Sequence, residues 1–395
     1  MTDLRIILWR ELRERLGEAL TGALPALVVC LLLDFFAGAF LGRFFEKIMV
    51  SYPVMLVILP GLMGLRGNIY GAMASRLTTM LHLGEMEPSL KDRNVTKNVI
   101  LSIFLSLVPV TVLWLVGVLK VGDLRSGFVV FLIVFTSMVF VGLIMGYATV
   151  LATVLPFKRG IDPDTIAAPL VTSAGDLVTI PFLVLFIVLY EEFNGVFDGL
   201  TVLAFLLTLI MSLKVKMGRE EKRTVREILG VVGALALLSS VSGGLLESYS
   251  DVIYASVIFS VMYPAILDTA GNYGSIIGAK TSTKIHLGEI NELLNVDSLL
   301  DILSYFLTAF IVAPLMNLFA IGVVRVSLGK DVGMVVPFLL LYPLLVLVNM
   351  FVAYFLAIAF DRLGLDPDNA TVPTITTLAD IFSTLFTVGV AHLIV

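Results

Sequence analysis

Eleven apolar runs limit the folds open to this chain more than any other feature of its sequence. They fall at about 20–42, 51–84, 98–119, 127–156, 166–190, 199–213, 227–246, 252–288, 300–324, 332–360 and 370–394. A helical membrane span needs roughly 20 apolar residues. Because 58% of the 395 residues are apolar and only 14% are charged, a water-soluble globule has no means of covering so much apolar surface. The pattern predicts an all-α polytopic membrane protein and excludes a soluble enzyme, a disordered chain and a nucleic-acid-binding protein.

Three segments depart from a plain membrane span. The runs at 51–84 and 252–288 are long and rich in Gly, Ser and Thr, so we expect each to form an interrupted or strongly tilted helix. Residues 1–18 interleave basic and acidic side chains and are followed by no signal-peptide cleavage site. They therefore predict an amphipathic helix at the cytosolic surface of the membrane.

The distribution of basic residues predicts the orientation of the chain. With the N-terminus in the cytoplasm, the inside segments hold sixteen Lys and Arg residues and the outside segments hold six. This asymmetry follows the positive-inside rule. We therefore expect a multi-pass protein of the plasma membrane, with its N-terminus in the cytoplasm and its C-terminus outside. The net charge of −5 favours cations as partners.

The sequence also repeats itself at an offset of 204 residues. In one window Pro60, Gly67, Asn68, Thr79, His82, Leu83, Gly84 and Glu85 match Pro264, Gly271, Asn272, Thr283, His286, Leu287, Gly288 and Glu289. In another, Asp162, Pro163, Asp164, Pro169, Thr172 and Asp176 match Asp366, Pro367, Asp368, Pro373, Thr376 and Asp380. Because the register is unchanged between the two windows, the sequence contains a duplicated half.

The duplication predicts the order of the domains. Each repeat holds five spans, and an odd number would invert the second copy unless one further span restored its orientation. The run at 199–213 is that additional span, so we expect two parallel five-helix repeats joined by one transmembrane helix. The predicted boundaries are 1–18 for the N-terminal segment, 19–190 for the first repeat, 191–222 for the linker and 223–395 for the second repeat.

Two acidic residues are the first candidates for a functional site. Asp176 and Asp380 each lie about ten residues after an Asp-Pro-Asp helix start, a rise of ~15 Å that places them near the middle of the bilayer. Charged groups at that depth are costly and usually line a wet pathway. We expect the two repeats to bring these carboxylates together around a cation. The alternative is a single buried, protonated Asp that is hydrogen-bonded to a neighbouring helix.

The Gly-Asn pairs supply further candidate ligands. Gly67 and Asn68, and their counterparts Gly271 and Asn272, follow a proline by seven residues. Backbone carbonyls freed by a helix break, together with the Asn oxygens, suit a hard cation. Asp268 adds a carboxylate in the second copy alone. Close helix packing by the glycines and helix capping by the asparagines remain alternatives.

A third group of acids is expected at the cytosolic rim. Asp at an N-cap followed by Pro is a common way to begin a helix, so capping is the first interpretation of the two Asp-Pro-Asp stretches. Collection of divalent cations is the second. The rim residues are Asp162, Asp164, Asp366, Asp368, Glu85 and Glu289.

Taken together, the Pro…Gly-Asn stretches and the Asp-Pro…Pro-x-x-Thr-x-x-x-Asp stretches resemble the transmembrane domain of the MgtE magnesium channels. Two copies in one chain resemble solute carrier family 41, in which a fused pair replaces a dimer. The resemblance implies transport of a divalent cation, with Mg²⁺ favoured, through a pore lined by Asp176 and Asp380 between the repeats. It also implies no enzymatic activity and no organic cofactor, and a monomer that acts in place of a dimer.

Two other functions compete with this interpretation. An intramembrane aspartyl protease would use the same two acids as its dyad, but such dyads need unequal surroundings, and the surroundings of these two match. A carrier for another cation or for an organic solute is the remaining alternative.

Overall fold

The fold is helical throughout the described part of the chain. A computed structural model describes residues 2–82, 84–159, 167–214, 219–286, 288–290, 293–365 and 367–394, and leaves some further side chains undescribed, among them those of His82, Asp176, His286 and Asp368. The α-helices of these ranges are α1 (Thr2–Glu18), α2 (Leu24–Ser51), α3 (Pro53–His82), α4 (Arg93–Val121), α5 (Leu124–Lys158), α6 (Ala167–Glu192), α7 (Asn194–Lys214), α8 (Arg219–Ser248), α9 (Ser250–Ala255), α10 (Ile258–His286), α11 (Val296–Val323), α12 (Val336–Arg362) and α13 (Pro367–His392). A π-helical turn at Ala19–Ala23 joins α1 to α2, and a second one at Val324–Leu328 extends α11. No strand occurs in these ranges, so the predicted all-α class is confirmed.

The described residues of each apolar run are mostly helical, and the run at 252–288 is divided between α9 and α10. Eight helical segments of the described residues are long and apolar enough to cross a membrane, and they lie on α2, α3, α4, α5, α7, α11, α12 and α13. The segment on α7 coincides with the apolar run 199–213, for which the sequence predicts an additional span between the repeats. The chain is therefore a polytopic membrane protein, and the full count of eleven spans stays a prediction.

Of the two long segments that were expected to be interrupted or strongly tilted, 252–288 is interrupted, whereas 51–84 forms one continuous helix from Pro53 to His82. Helices α3 and α10 continue without a break past Pro60 and Pro264 and through the two Gly-Asn pairs. The chain does break within 252–288, but it does so at Val257, where φ is 52°, just before α10 begins. The carbonyls of Gly67 and Gly271 therefore lie inside regular helices, and the break that was expected to free them is absent.

The repeated Leu-Gly-Glu stretch has a structural explanation at the ends of α3 and α10. Gly84 and Gly288 have φ values of 70° and 72°, which a residue without Cβ adopts readily. The N–H groups of Glu85 and Glu289 each donate to the carbonyl five residues earlier, at 2.9 Å. This pattern is the Schellman motif that ends helices. The recurrence of these residues therefore follows, at least in part, from the need to stop the helix.

The chain divides into two compact units that do not coincide with the sequence repeats. The first-repeat unit is Phe44–Ser248, and the second-repeat unit is Met1–Arg43 with Tyr249–Val395. Each unit thus holds the first helix of the other repeat, either α8 or residues 24–43 of α2. The compact units are defined by contacts and not by sequence, so the repeat boundaries predicted from the sequence stay a prediction.

Glycine residues allow the first helix of each repeat to pack closely in the unit formed by the other repeat. In the second-repeat unit, Gly38 of α2 lies directly against the backbone carbonyl of Val261 in α10. In the first-repeat unit, Gly243 of α8 lies against the carbonyl of Val57 in α3. Val57 and Val261 are equivalent in the two repeats, and at neither glycine is there room for a Cβ atom. Small residues therefore set both contacts.

Candidate cation-binding site

In the second-repeat unit, glycines bring α10 close to α13. A Cβ atom on Gly274 would lie 2.6 Å from Ile375 Cγ1, and one on Gly278 would lie 2.9 Å from Thr371 Cγ2. Gly271 is one turn further along the same face, where a Cβ would lie 3.8 Å from atoms of Thr376 and Ala379. The predicted packing role of the Gly-Asn glycine is therefore compatible with the structure of this repeat.

Asp380 lies on α13 beside this contact and is 9% exposed. The hydroxyl of Thr384 donates to the Asp380 carbonyl at 2.7 Å and also makes a 2.9 Å hydrogen bond with the hydroxyl of Tyr263 on α10. These bonds fix the turn of α13 that carries the acid. Asp380 is therefore a buried acid on a helix long and apolar enough to span the membrane.

Asp268 and Asn272 form a second polar group on α10. Asn272 Nδ2 donates to Asp268 Oδ2 at 2.7 Å, so the amide bonds the acid one turn earlier rather than capping a helix. The carboxyl of Asp34, on α2, lies at hydrogen-bonding range of Asp268. Asp34 is fully buried. The fold therefore brings two acids and one amide together in this unit.

Comparison of the two repeats does not select Asp34, because its counterpart in the other repeat is Leu238. A signal for it was nevertheless present. Asp34 is the only acid in the apolar run 20–42, and an isolated charge in such a run usually marks a polar contact or a functional site.

In the first-repeat unit, the corresponding region holds a buried cation. Arg66 of α3 is 2% exposed, and its Nη2 atom lies 2.9 Å from Met138 Sδ. Its Cβ atom packs against α6 at Gly175, the residue before Asp176. Asp176 lies within the helix, but its side chain is outside the described part of the structure. Whether Asp176 faces Asp380 therefore stays a prediction.

The first repeat lacks the second polar group. Asn68 is half-buried on α3, next to Gly67, but Gly64 stands at the position equivalent to Asp268. The two Gly-Asn pairs therefore lie in unlike surroundings, although their sequences match.

The predicted rim residues receive a partial description. Glu85 and Glu289 are exposed, and their carbonyls each accept a 2.9 Å hydrogen bond from a nearby asparagine. Pro367 is the first residue of α13, as expected for a helix that begins at an Asp-Pro step. The remaining rim acids, or their side chains, lie outside the described residues; these are Asp162, Asp164, Asp366 and Asp368.

Among the described residues, no group of three or more His, Cys, Asp or Glu side chains is placed to hold a metal ion. Such a group is not required for every ion. Mg²⁺ keeps several of its waters and is commonly bound through one or two carboxylates. Pairs of acids supported by neutral oxygen atoms are therefore the arrangement to examine in this protein.

Comparison with known proteins shows that each repeat matches the same family model. The family model for MgtE, described as a divalent cation transporter, matches residues 59–186 and 263–390. These two matches are offset by the same 204 residues as the internal repeat. Together they cover well over half of the chain.

Members of solute carrier family 41 are similar to this chain across both repeats. Solute carrier family 41 member 3 of Rattus norvegicus is 24% identical over 357 residues, which cover 84% of this chain and 77% of the relative. Solute carrier family 41 member 2 of Gallus gallus is 26% identical over 373 residues, 85% of this chain and 63% of the relative. The Homo sapiens member 2 is 25% identical over 366 residues, with shares of 84% and 62%. No solved structure matches the chain.

Proposed function

Because this chain belongs to the MgtE family of divalent cation transporters, we propose that it carries Mg²⁺ across the plasma membrane. Its N-terminus lies in the cytoplasm and its C-terminus outside, as the distribution of basic residues indicates. The family and the relatives are transporters and not enzymes, and no described feature favours the protease alternative.

The observation that carries the proposal is the position of one acid in each family match. Asp176 and Asp380 fall at equivalent positions of the two matched segments. The described member of the pair, Asp380, is buried on a helix able to span a membrane. In this proposal each repeat supplies one carboxylate to the transported ion, so one chain provides the pair.

Physical chemistry favours Mg²⁺ entry by such a route. A pair of carboxylates neutralises a divalent ion while the ion retains part of its water shell. A membrane potential that is negative inside favours entry of a divalent ion by about 4.6 kcal/mol per 100 mV. Influx therefore needs no second coupled ion, whereas export against this potential would need one.

The test is Mg²⁺ uptake by the full chain in proteoliposomes at a set voltage and a set Na⁺ gradient. The double variant Asp176→Asn with Asp380→Asn is expected to lose uptake while it remains folded, because it keeps the shape of both side chains and removes both charges. The control is Asp198→Asn with Asp251→Asn, which removes two exposed acids, one from each unit. This control is expected to transport like the unmodified protein.

Uptake by the double variant at the level of the control would contradict the roles of the two acids. Competition with Ca²⁺, Mn²⁺, Co²⁺ and Na⁺ in the same assay addresses ion identity. Stronger inhibition by another ion than by Mg²⁺ itself would assign a different substrate, and Na⁺-dependent Mg²⁺ flux would assign coupled transport.

A further inference from the structure

One polar group of the second-repeat unit, in which Asp34 is buried and the other members are partly buried, is not used by the proposed pair of acids. It consists of Asp34 on α2 with Asp268 and Asn272 on α10. Asp34 is fully buried, its carboxyl lies at hydrogen-bonding range of the Asp268 carboxyl, and Asn272 bonds Asp268 from the next turn at 2.7 Å. Asp34 and Asp268 lie more than two hundred residues apart in the chain, so only the tertiary fold places them side by side.

Two hydroxyl groups reach the same place. Tyr342 of α12 and Thr269 of α10 are both fully buried, and neither hydroxyl meets hydrogen-bond geometry with any described group. The Tyr342 hydroxyl lies at hydrogen-bonding range of the Thr269 hydroxyl, without the geometry of a hydrogen bond, and interacts electrostatically with the carboxyls of Asp34 and Asp268. Buried hydroxyls are rarely left without a partner, so a pair of them beside two acids indicates that a ligand completes the group.

The chemistry of this group matches a divalent cation. Two ionised carboxyls that lie within hydrogen-bonding range of each other repel, and a doubly charged ion between them cancels both charges. The donors are all oxygen atoms if the Asn272 amide rotates to present Oδ1, and oxygen is the donor that hard cations prefer. On α10, Lys280 is twelve residues away, or about 18 Å along the helix, and its ammonium group is held by Asp301.

We propose that Asp34, Asp268 and Asn272 form a binding site for the transported divalent cation, with Tyr342 and Thr269 as neutral oxygen neighbours. The inference rests on the proposed function, because it takes the same ion. The site has no counterpart in the first-repeat unit, since Leu238 and Gly64 stand there at the positions equivalent to Asp34 and Asp268. The ion therefore meets unequal binding groups in the two halves of the chain.

Binding of Mg²⁺ alone to the full chain in lipid nanodiscs tests the site by isothermal titration. Asp34→Asn keeps a polar side chain of the same shape beside Asp268 and removes one charge. It is expected to weaken Mg²⁺ binding at this site by at least about tenfold. The matched control Asp251→Asn, an exposed acid of the same unit, is expected to bind Mg²⁺ like the unmodified protein.

A second measurement needs no variant to fold. Cys30 is the one cysteine of the sequence and lies one turn before Asp34 on the same face of α2. Saturating Mg²⁺ is expected to change the rate of Cys30 alkylation by at least about twofold, and Na⁺ at the same ionic strength is not.

The outcomes separate this inference from the proposed function. Unchanged Mg²⁺ affinity in Asp34→Asn, or a Cys30 rate that responds to Na⁺ and not to Mg²⁺, would overturn the site even if transport is confirmed. Loss of binding in Asp34→Asn together with absent Mg²⁺ uptake by the unmodified protein would keep a Mg²⁺ site at these residues, and would reject the transport function together with the role of the site in transport.

Discussion

Helices α3 and α10 occupy equivalent positions in the two repeats, yet the ionisable residues by which they differ have opposite signs: Arg66 is buried and Asp268 is partly buried. Arg66 is the buried ionic group of α3, and its counterpart on α10 is Ala270. Asp268 is the acid of α10, and its counterpart on α3 is Gly64. The helix lengths, prolines and terminal glycines match. A repeated backbone frame therefore carries different electrostatics in its two copies.

The same contrast recurs near the ends of these helices. In the second-repeat unit, Asp301 of α11 pairs with Arg15 of α1 and with Lys280 and Lys284 of α10. The counterpart of Asp301 in the first repeat is Lys97, and there the equivalent of Lys280, Arg76, donates to an asparagine at 3.4 Å. An equal sequence position thus does not give an equal interaction.

The largest expected effect comes from copying the charge of one repeat into the other. Ala270→Arg places the Arg66 side chain at its equivalent position on α10, where the alanine is fully buried. The variant both overfills the site and buries a charge for which no partner has been provided, so a loss of about 4 kcal/mol in unfolding free energy is expected. Unfolding in detergent micelles measures the change.

Ala270→Met is the control for size, because it adds a long side chain without a charge. A smaller loss is expected from it. If Ala270→Arg proves as stable as Ala270→Met, the two repeats would tolerate the same buried cation, and the electrostatic contrast between α3 and α10 would lose its significance.

The next effect concerns the ionic cluster around Asp301, whose side chain is only 4% exposed. Arg15 Nη1 and Lys284 Nζ each lie 2.6 Å from its oxygens. Both cations also pair with Asp297, whose side chain is more exposed. Asp301→Asn removes the buried acid of the cluster and two charge-assisted hydrogen bonds, so a loss of about 3 kcal/mol in unfolding free energy is expected. The same unfolding assay applies.

An exposed ion pair of the same unit provides the control. Arg10 and Glu14 lie 3.1 Å apart on α1 with both side chains largely exposed, so Glu14→Gln is expected to cost under about 0.5 kcal/mol. Equal effects of the two substitutions would show that the buried cluster contributes no more than a surface pair.

The smallest effect tests the approach of α10 to α13. Gly274→Ala is expected to lower the unfolding free energy by about 1–3 kcal/mol, because its Cβ would lie 2.6 Å from Ile375. Gly271→Ala meets only ordinary contacts at 3.8 Å and is expected to be close to neutral. The first repeat has Tyr70 in place of Gly274, with its hydroxyl 3.3 Å from the Gly142 carbonyl. Similar losses for both glycine variants would contradict the close approach of α10 to α13 at Gly274.

Much of the fold follows from local sequence pattern. The described residues of the eleven apolar runs are mostly helical, because the length and composition of a run are properties of the run itself. The prolines and the Gly-Asn pairs were misleading in one respect, since they predicted a break where α3 and α10 are continuous. A proline inside a membrane helix is tolerated when neighbouring groups satisfy the freed carbonyl, and a single sequence does not show those neighbours.

The candidate site was predicted less completely than the fold. Asp268 and Asn272 were identified from their spacing, and the structure places them in direct contact. Asp34 was missed because comparison of the repeats searches for matching residues, and this acid has no match. The roles of Asp176 and Asp380 stay predictions that the transport assay tests.

By itself, the sequence determined that this chain is a duplicated, helical membrane protein, because the lengths of the apolar runs and the internal repeat can be read directly from the order of the residues. Only the tertiary structure decided that the first helix of each repeat packs in the unit formed by the other repeat. It also decided that Asp34 meets Asp268. Such contacts depend on close approach at residues such as Gly38, and the packing of distant segments leaves no periodic signal in the residues on either side.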